Sequence, residues 1–148
     1  MALLAAEVAE FAPKRVAVAD DAEAERLRGL LPGFRGELLV GAEGLDALAA
    51  HPDTDTVLVG LVGFLGLRPS MAALRAGKRL LTANKETFVA AGHLVAPYLA
   101  QVVPFDSEHS AIFQCLNGER AQGVRKLLLT ASGGPFRDAA EWPLARLE

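Results

Sequence analysis

The sequence predicts an α/β fold built on a parallel sheet. Three observations carry that expectation. Short, β-rich apolar runs alternate with segments of helical spacing along most of the chain. Several of those runs are apolar at successive positions, as strands covered on both faces are. Residues that start and stop helices fall at the joints: Asn84 where an N-cap belongs, Pro69 where an N1 proline belongs, and Gly77 just past the helix that ends LRAG.

Taken in order, the chain opens in a helix that places Leu3, Leu4, Val8 and Phe11 on one face. Strands are expected over Arg15–Ala19, Glu37–Gly41, Thr56–Gly63, Arg79–Ala83, Gln101–Phe105 and Val124–Ala131. Helices are expected over Asp21–Leu30, Gly44–Ala50, Pro69–Ala76, Glu86–Leu99 and Ser107–Leu116. Such alternation argues for right-handed βαβ units. If the last three strands neighbour one another, the polar clusters that follow them share one crevice. The closing stretch RDAAEWPLARLE carries Trp142, Leu144 and Leu147 with no obvious partner element.

Composition bounds the function. With 148 residues, 51% apolar and 22% charged, the chain suits one domain's worth of globular core. Its 15 basic and 18 acidic residues leave a net charge of −3 without a Lys/Arg cluster, which argues against a nucleic-acid partner. The one cysteine, Cys115, excludes an internal disulfide and fits a reducing compartment. Glu7 and Glu10 interrupt the apolar N-terminus where a signal peptide needs continuity, and no stretch reaches a membrane-spanning length. The expected location is the cytoplasm.

Three polar corners follow strands. In DSEH, Asp106 and Glu108 are two apart, so an extended segment would point both carboxylates to one side, with the Ser107 hydroxyl between them. That is the start of a site for a hard divalent cation, Mg²⁺ or Mn²⁺ rather than zinc. On spacing alone the same residues also read as a capped helix start, with Asp106 or Ser107 as N-cap and Glu108 on the dipole. In NKE, Lys85 can meet a phosphate or polarise a carbonyl beside Asn84 and Glu86, or the trio is an ordinary capped terminus. In SGGPFR, Ser132 is followed by two glycines that let backbone N–H groups approach an anion, with Arg137 nearby, or the run is a Gly-Gly-Pro turn. GLVGFLG (Gly60–Gly66) lacks the dinucleotide spacing and reads as a strand end with a close backbone approach. His51 and His93 read as structural, and His109 as a group behind the carboxylate pair.

In this order, LTANKETFVAAG, PFDSEHSAIFQCL and KLLLTASGGPFR resemble the 1-deoxy-D-xylulose-5-phosphate reductoisomerase family, and FAPKRVAVADDA and VGLVGFLGLRPSMAALRAGK fit it too. The resemblance implies an NADPH-dependent and metal-dependent enzyme (Mg²⁺, Mn²⁺ or Co²⁺). It would rearrange and reduce 1-deoxy-D-xylulose 5-phosphate to 2-C-methyl-D-erythritol 4-phosphate, on the non-mevalonate route to isoprenoids, as a homodimer. Residues 1–100 would be the later part of a Rossmann-like cofactor domain, and 101–148 the first part of the catalytic domain. Asp106 and Glu108 would be two of three carboxylate metal ligands. Lys85, Ser107, Glu108 and Ser132 would meet the substrate, Lys85, Asp106 and Glu108 would carry the chemistry, and Asn84 and Glu86 would lie on the cofactor side. The family's glycine-rich phosphate loop, its His/Trp loop and its third metal-binding Glu do not occur in this sequence. On that reading the chain is an internal part of the enzyme, inactive alone. A non-catalytic α/β binding module and an unrelated NAD(P)-dependent dehydrogenase stay open as alternatives.

Overall fold

The structure, a computed structural model, describes residues 1–128. It divides into two units, Met1–Phe105 and a second that begins at Asp106. The element order of the first is α1 (Ala2–Phe11), β1 (Arg15–Val18), α2 (Asp21–Leu30), β2 (Glu37–Val40), α3 (Gly41–Ala49), β3 (Thr56–Val59), α4 (Leu67–Arg75), β4 (Arg79–Thr82), α5 (Lys85–Val95) and β5 (Val102–Pro104). Every pairing among the described strands is parallel: β1 with β2, and β3–β4–β5 as a second sheet. The expected fold class holds.

Each sheet carries its own apolar centre. Around β1 and β2, Val16 and Val18 pack with Ala5 and Val8 of α1 and Ala24 and Leu27 of α2. Around β3 and β4, Val59 and Leu80 pack with Met71 and Leu74 of α4 and Val95 of α5. Helix α3 links the two, touching β1, β2 and α4. An ion pair on the outside supports that link: Arg68 of α4 reaches Asp46 of α3 at 2.7 Å and Glu43 at 3.6 Å. The two carboxylates, Asp46 first through its hydrogen bond, raise the Arg68 pKa above its ordinary value.

Local chemistry explains the element ends. Asp20 caps α2 by accepting from the Glu23 N–H at 2.8 Å. Helix α4 stops at Gly77, whose φ of 74° is left-handed. The N–H of Gly77 donates to Leu74 O and that of Lys78 to Ala73 O, closing the last turn. Helix α5 is shorter than the expected Glu86–Leu99. It breaks at Ala91 (φ −132°), ends at Val95, and passes into a 3₁₀ segment, Ala96–Gln101. Pro97 has no N–H to continue the α-helical ladder.

Other expectations are corrected. The buried stripe of α1 runs through Leu4, Ala5 and Val8; Leu3 and Phe11 lie in line with Glu7 beside that stripe and are more than 70% exposed. Helix α4 begins at Leu67, so Pro69 sits in its first turn rather than at N1, still where its missing N–H costs no hydrogen bond. Strand β3 ends at Val59, not Gly63, because the chain turns into a loop and a 3₁₀ segment over Gly63–Gly66. The strands are not covered on both faces throughout: Leu58 on β3 is 57% exposed. The described part of the strand expected over Val124–Ala131 forms no strand, with Leu127 and Leu128 exposed; an extended apolar run needs a paired neighbour to become one. Among the described residues no helix is long and apolar enough to cross a membrane.

Candidate functional site

The parallel sheet sets where a site can lie, because every parallel strand delivers its C-terminal end to the same edge. Strands β3 and β4 are in register through Val59 and Thr82, and β5 ends with Pro104 beside Thr82. The NKE corner leaves this edge directly. The N–H of Asn84 donates to Thr82 Oγ1 at 2.9 Å, which bends the chain out of β4. The Asn84 Oδ1 then accepts from the Thr87 N–H at 2.9 Å, capping α5 as expected. Lys85 is exposed and Glu86 half-buried at the first turn.

Asn84 itself is 2% exposed and its carboxamide is fully engaged within the protein. Its Oδ1 also accepts from Thr87 Oγ1 at 2.6 Å, and its Nδ2 donates to Leu61 O at 2.7 Å and Gly63 O at 2.8 Å. Two donors and an acceptor oxygen with two bonds are all the group has to offer. Gly63 and Gly66 of GLVGFLG thus meet a close approach from a side chain of the neighbouring turn. The sequence signal for this was the run of glycines three apart; its partner was visible only in the fold. The same loop sets Val62, Phe64 and Leu65 out in solvent, each more than 70% exposed, beyond the carboxyl end of β3.

In the second unit, α6 spans Ser107–Leu116. Asp106 is its N-cap: the extended backbone (φ −90°, ψ 165°) aims the side chain back at the helix start, where it accepts from the His109 N–H at 2.8 Å. Its other oxygen, Oδ2, lies against His109 Nδ1. The capped-helix alternative is therefore what DSEH forms, and the extended arrangement of Asp106 and Glu108 gives way to a cap and a first-turn residue. Both carboxylates still stand at the positive end of one helix. Asp106 and Glu108 are half-buried, Ser107 and His109 exposed. His51, by contrast, holds its own loop, accepting from the Asp53 N–H at 3.1 Å. Ser132 and Arg137 lie outside the described residues.

The donor set of the α6 cap fits a hard divalent cation: carboxylate oxygens with a hydroxyl between them and no sulfur. Two carboxylates are a partial set, and among the described residues no group of three or more His, Cys, Asp or Glu gathers as a metal site.

Comparison with known proteins gives the chain a family. Residues 1–92 match the family model for 1-deoxy-D-xylulose 5-phosphate reductoisomerase, and residues 102–148 match that for the C-terminal domain of the same enzyme. A 1-deoxy-D-xylulose 5-phosphate reductoisomerase of Synechococcus sp. (strain JA-2-3B'a(2-13)) is 50% identical over 154 residues, taking in 100% of this chain. The chain spans 38% of that relative's length. The solved reductoisomerase of Zymomonas mobilis in complex with NADPH superposes with a TM-score of 0.79 at 36% identity, covering 93% of this chain and 37% of that one. A second reductoisomerase structure, in complex with NADPH, fosmidomycin and magnesium, gives a TM-score of 0.70 at 38% identity, over 76% of this chain and 29% of the other.

Proposed function

Since the chain belongs to the 1-deoxy-D-xylulose 5-phosphate reductoisomerase family, we propose that it serves in the NADPH- and metal-dependent conversion of 1-deoxy-D-xylulose 5-phosphate to 2-C-methyl-D-erythritol 4-phosphate. The enzyme would act in the cytoplasm as a homodimer. The observation that carries the reading is the DSEH corner, where Asp106 and Glu108 offer hard oxygen donors at the start of α6.

The roles follow from the residue types. Asp106 and Glu108 hold Mg²⁺, Mn²⁺ or Co²⁺, and a cation held there supplies Lewis-acid polarisation of the substrate's carbonyl and hydroxyl oxygens. Lys85, exposed at the start of α5, donates to substrate oxygens and stabilises negative charge as it develops. The exposed Ser107 hydroxyl and Ser132 orient the substrate, Ser132 towards its phosphate end. Asn84 and Glu86 serve the cofactor side. NADPH, when bound, would supply the hydride, and the protein's part would be to position cofactor and substrate.

The test is a graft. The matching segment of the Synechococcus reductoisomerase is replaced by this chain, and NADPH oxidation is followed with 1-deoxy-D-xylulose 5-phosphate and Mn²⁺ present. Turnover within about tenfold of the parent is the expected outcome. Loss of turnover in a graft that folds by circular dichroism would favour the alternative of a non-catalytic module.

A further inference from the structure

A second concave surface lies at the amino ends of β1 and β2, whereas the NKE corner leaves the carboxyl end of β4. Two turns build it. Past the end of α1, Ala12 takes a left-handed φ of 44° and donates its N–H to Val8 O at 3.0 Å, and the chain turns through Pro13 and Lys14 into β1. Past the end of α2, the Leu31 N–H donates to Leu27 O at 2.9 Å and the Phe34 N–H to Leu31 O at 3.0 Å. The Phe34 ring lies over Gly36, where an added Cβ would collide with Phe34 Cζ and stand 2.7 Å from Lys14 O. The Glu37 N–H ties the two turns together by donating to Lys14 O at 2.9 Å. Between them lies a groove of about 700 Å³, within the range of small-molecule sites.

The walls of the groove are apolar and its charges are of one sign. Val8, Leu30, Leu31 and Phe34 line it, Leu31 and Phe34 packed on the β1–β2 core and Leu30 left 52% exposed. The charged residues lining it are Lys14 and Arg35. Both are exposed, and neither has an ion-pair partner among the described residues. Arg15, next to Lys14 in sequence, is by contrast held by Glu37 at 3.0 Å and Asp53 at 3.4 Å. In a chain with 18 acidic and 15 basic residues, two such cations on one apolar groove are complementary to an anion. We propose that the groove binds an amphipathic anion: a free small molecule whose phosphate or carboxylate head is held by Lys14 and Arg35, with a hydrocarbon body against Val8, Leu30, Leu31 and Phe34. Its concavity suits one molecule rather than the flat face of a bilayer. The inference is independent of the proposed function. Both cations also follow helix C-termini, where positive charge is favourable, and substitution separates that role from ligand binding.

The probe is octyl phosphate, titrated by calorimetry into the 148-residue polypeptide, with amide hydrogen exchange to locate the site. The grafted enzyme is titrated alongside, and it decides the outcome should the free polypeptide not fold. Saturable binding is expected, with protection gained over residues 12–14 and 30–36. Lys14→Gln and Arg35→Gln should each raise the Kd about threefold to tenfold, as an exposed charge-assisted contact is lost. Butyl phosphate should bind at least about tenfold more weakly than octyl phosphate, because four methylenes no longer leave water. Octylammonium should not saturate. Equal affinity for octyl phosphate and octylammonium would overturn the proposal, since the groove would then recognise apolar area alone. Protection centred on other residues, or no saturable binding by a folded protein, would overturn it as well. A graft that fails to bind beside a polypeptide that does would show the groove covered in the longer enzyme, with the same consequence. If the two Gln variants melt at a lower temperature yet bind octyl phosphate as the parent does, the cations serve the helix ends only and the proposal fails.

Discussion

The Asp106 carboxylate shows how one residue can satisfy two readings of a sequence. Its Oδ1 caps α6 and its Oδ2 meets His109, so the residue belongs to local structure as well as to the candidate cation site. The two roles can be separated by substitution. Asn is as good an N-cap as Asp, so Asp106→Asn is expected to leave the melting temperature nearly unchanged while Mn²⁺ affinity falls about tenfold or more, as a charged ligand is lost. Asp106→Ala should cost about 0.5–2 kcal/mol of stability as well. Calorimetry beside an Mn²⁺ titration checks both; a fall in stability for Asn equal to that for Ala would mean the charge, not the cap, holds the helix. Glu108→Gln, on the first turn, should weaken the metal similarly. The sequence made both carboxylates and the cap legible, because these residue types depend on neighbours within three positions. It could not show that His109 turns back onto Asp106, which depends on the helix start being formed.

Among the elements, helices were the more legible. Asp21–Leu30 and Ser107–Leu116 run as expected, since caps and apolar spacing are written locally. Strand ends were less so. Strand β3 stops at Val59, and the loop that follows is held by Asn84, from a different loop, through the carbonyls of Leu61 and Gly63. Pairing also decides what each strand contributes. Leu80 on the central strand β4 is fully buried among Val59, Leu74 and Val95. Leu80→Ala is expected to cost about 2–5 kcal/mol by denaturant unfolding. Strand β3, with β4 on one side and no other partner among the described strands, presents the exposed Leu58. Such an edge templates association. Leu58→Lys should therefore reduce self-association in light scattering at little cost in stability, and unchanged scattering would show that another surface drives it.

For the whole molecule, the two parallel sheets and the cap of α6 supply the framework, and the start of α6 brings together Asp106 and Glu108, the two carboxylates of the proposed metal site. The 148-residue polypeptide by itself is accordingly expected to consume no NADPH above background while folded by circular dichroism, in contrast to the graft. Turnover by the free polypeptide would show that two carboxylates suffice. Class, order of elements, caps and the polar corners were set by the sequence alone, because each follows from spacing and side-chain chemistry within a few residues. Which face of α1 is buried, where β3 ends, that 124–128 forms no strand, and that Asn84 grips a loop twenty-one residues upstream were decided by tertiary structure. Those outcomes depend on which backbone groups and apolar faces meet across long stretches of chain, and only the packed fold brings them together.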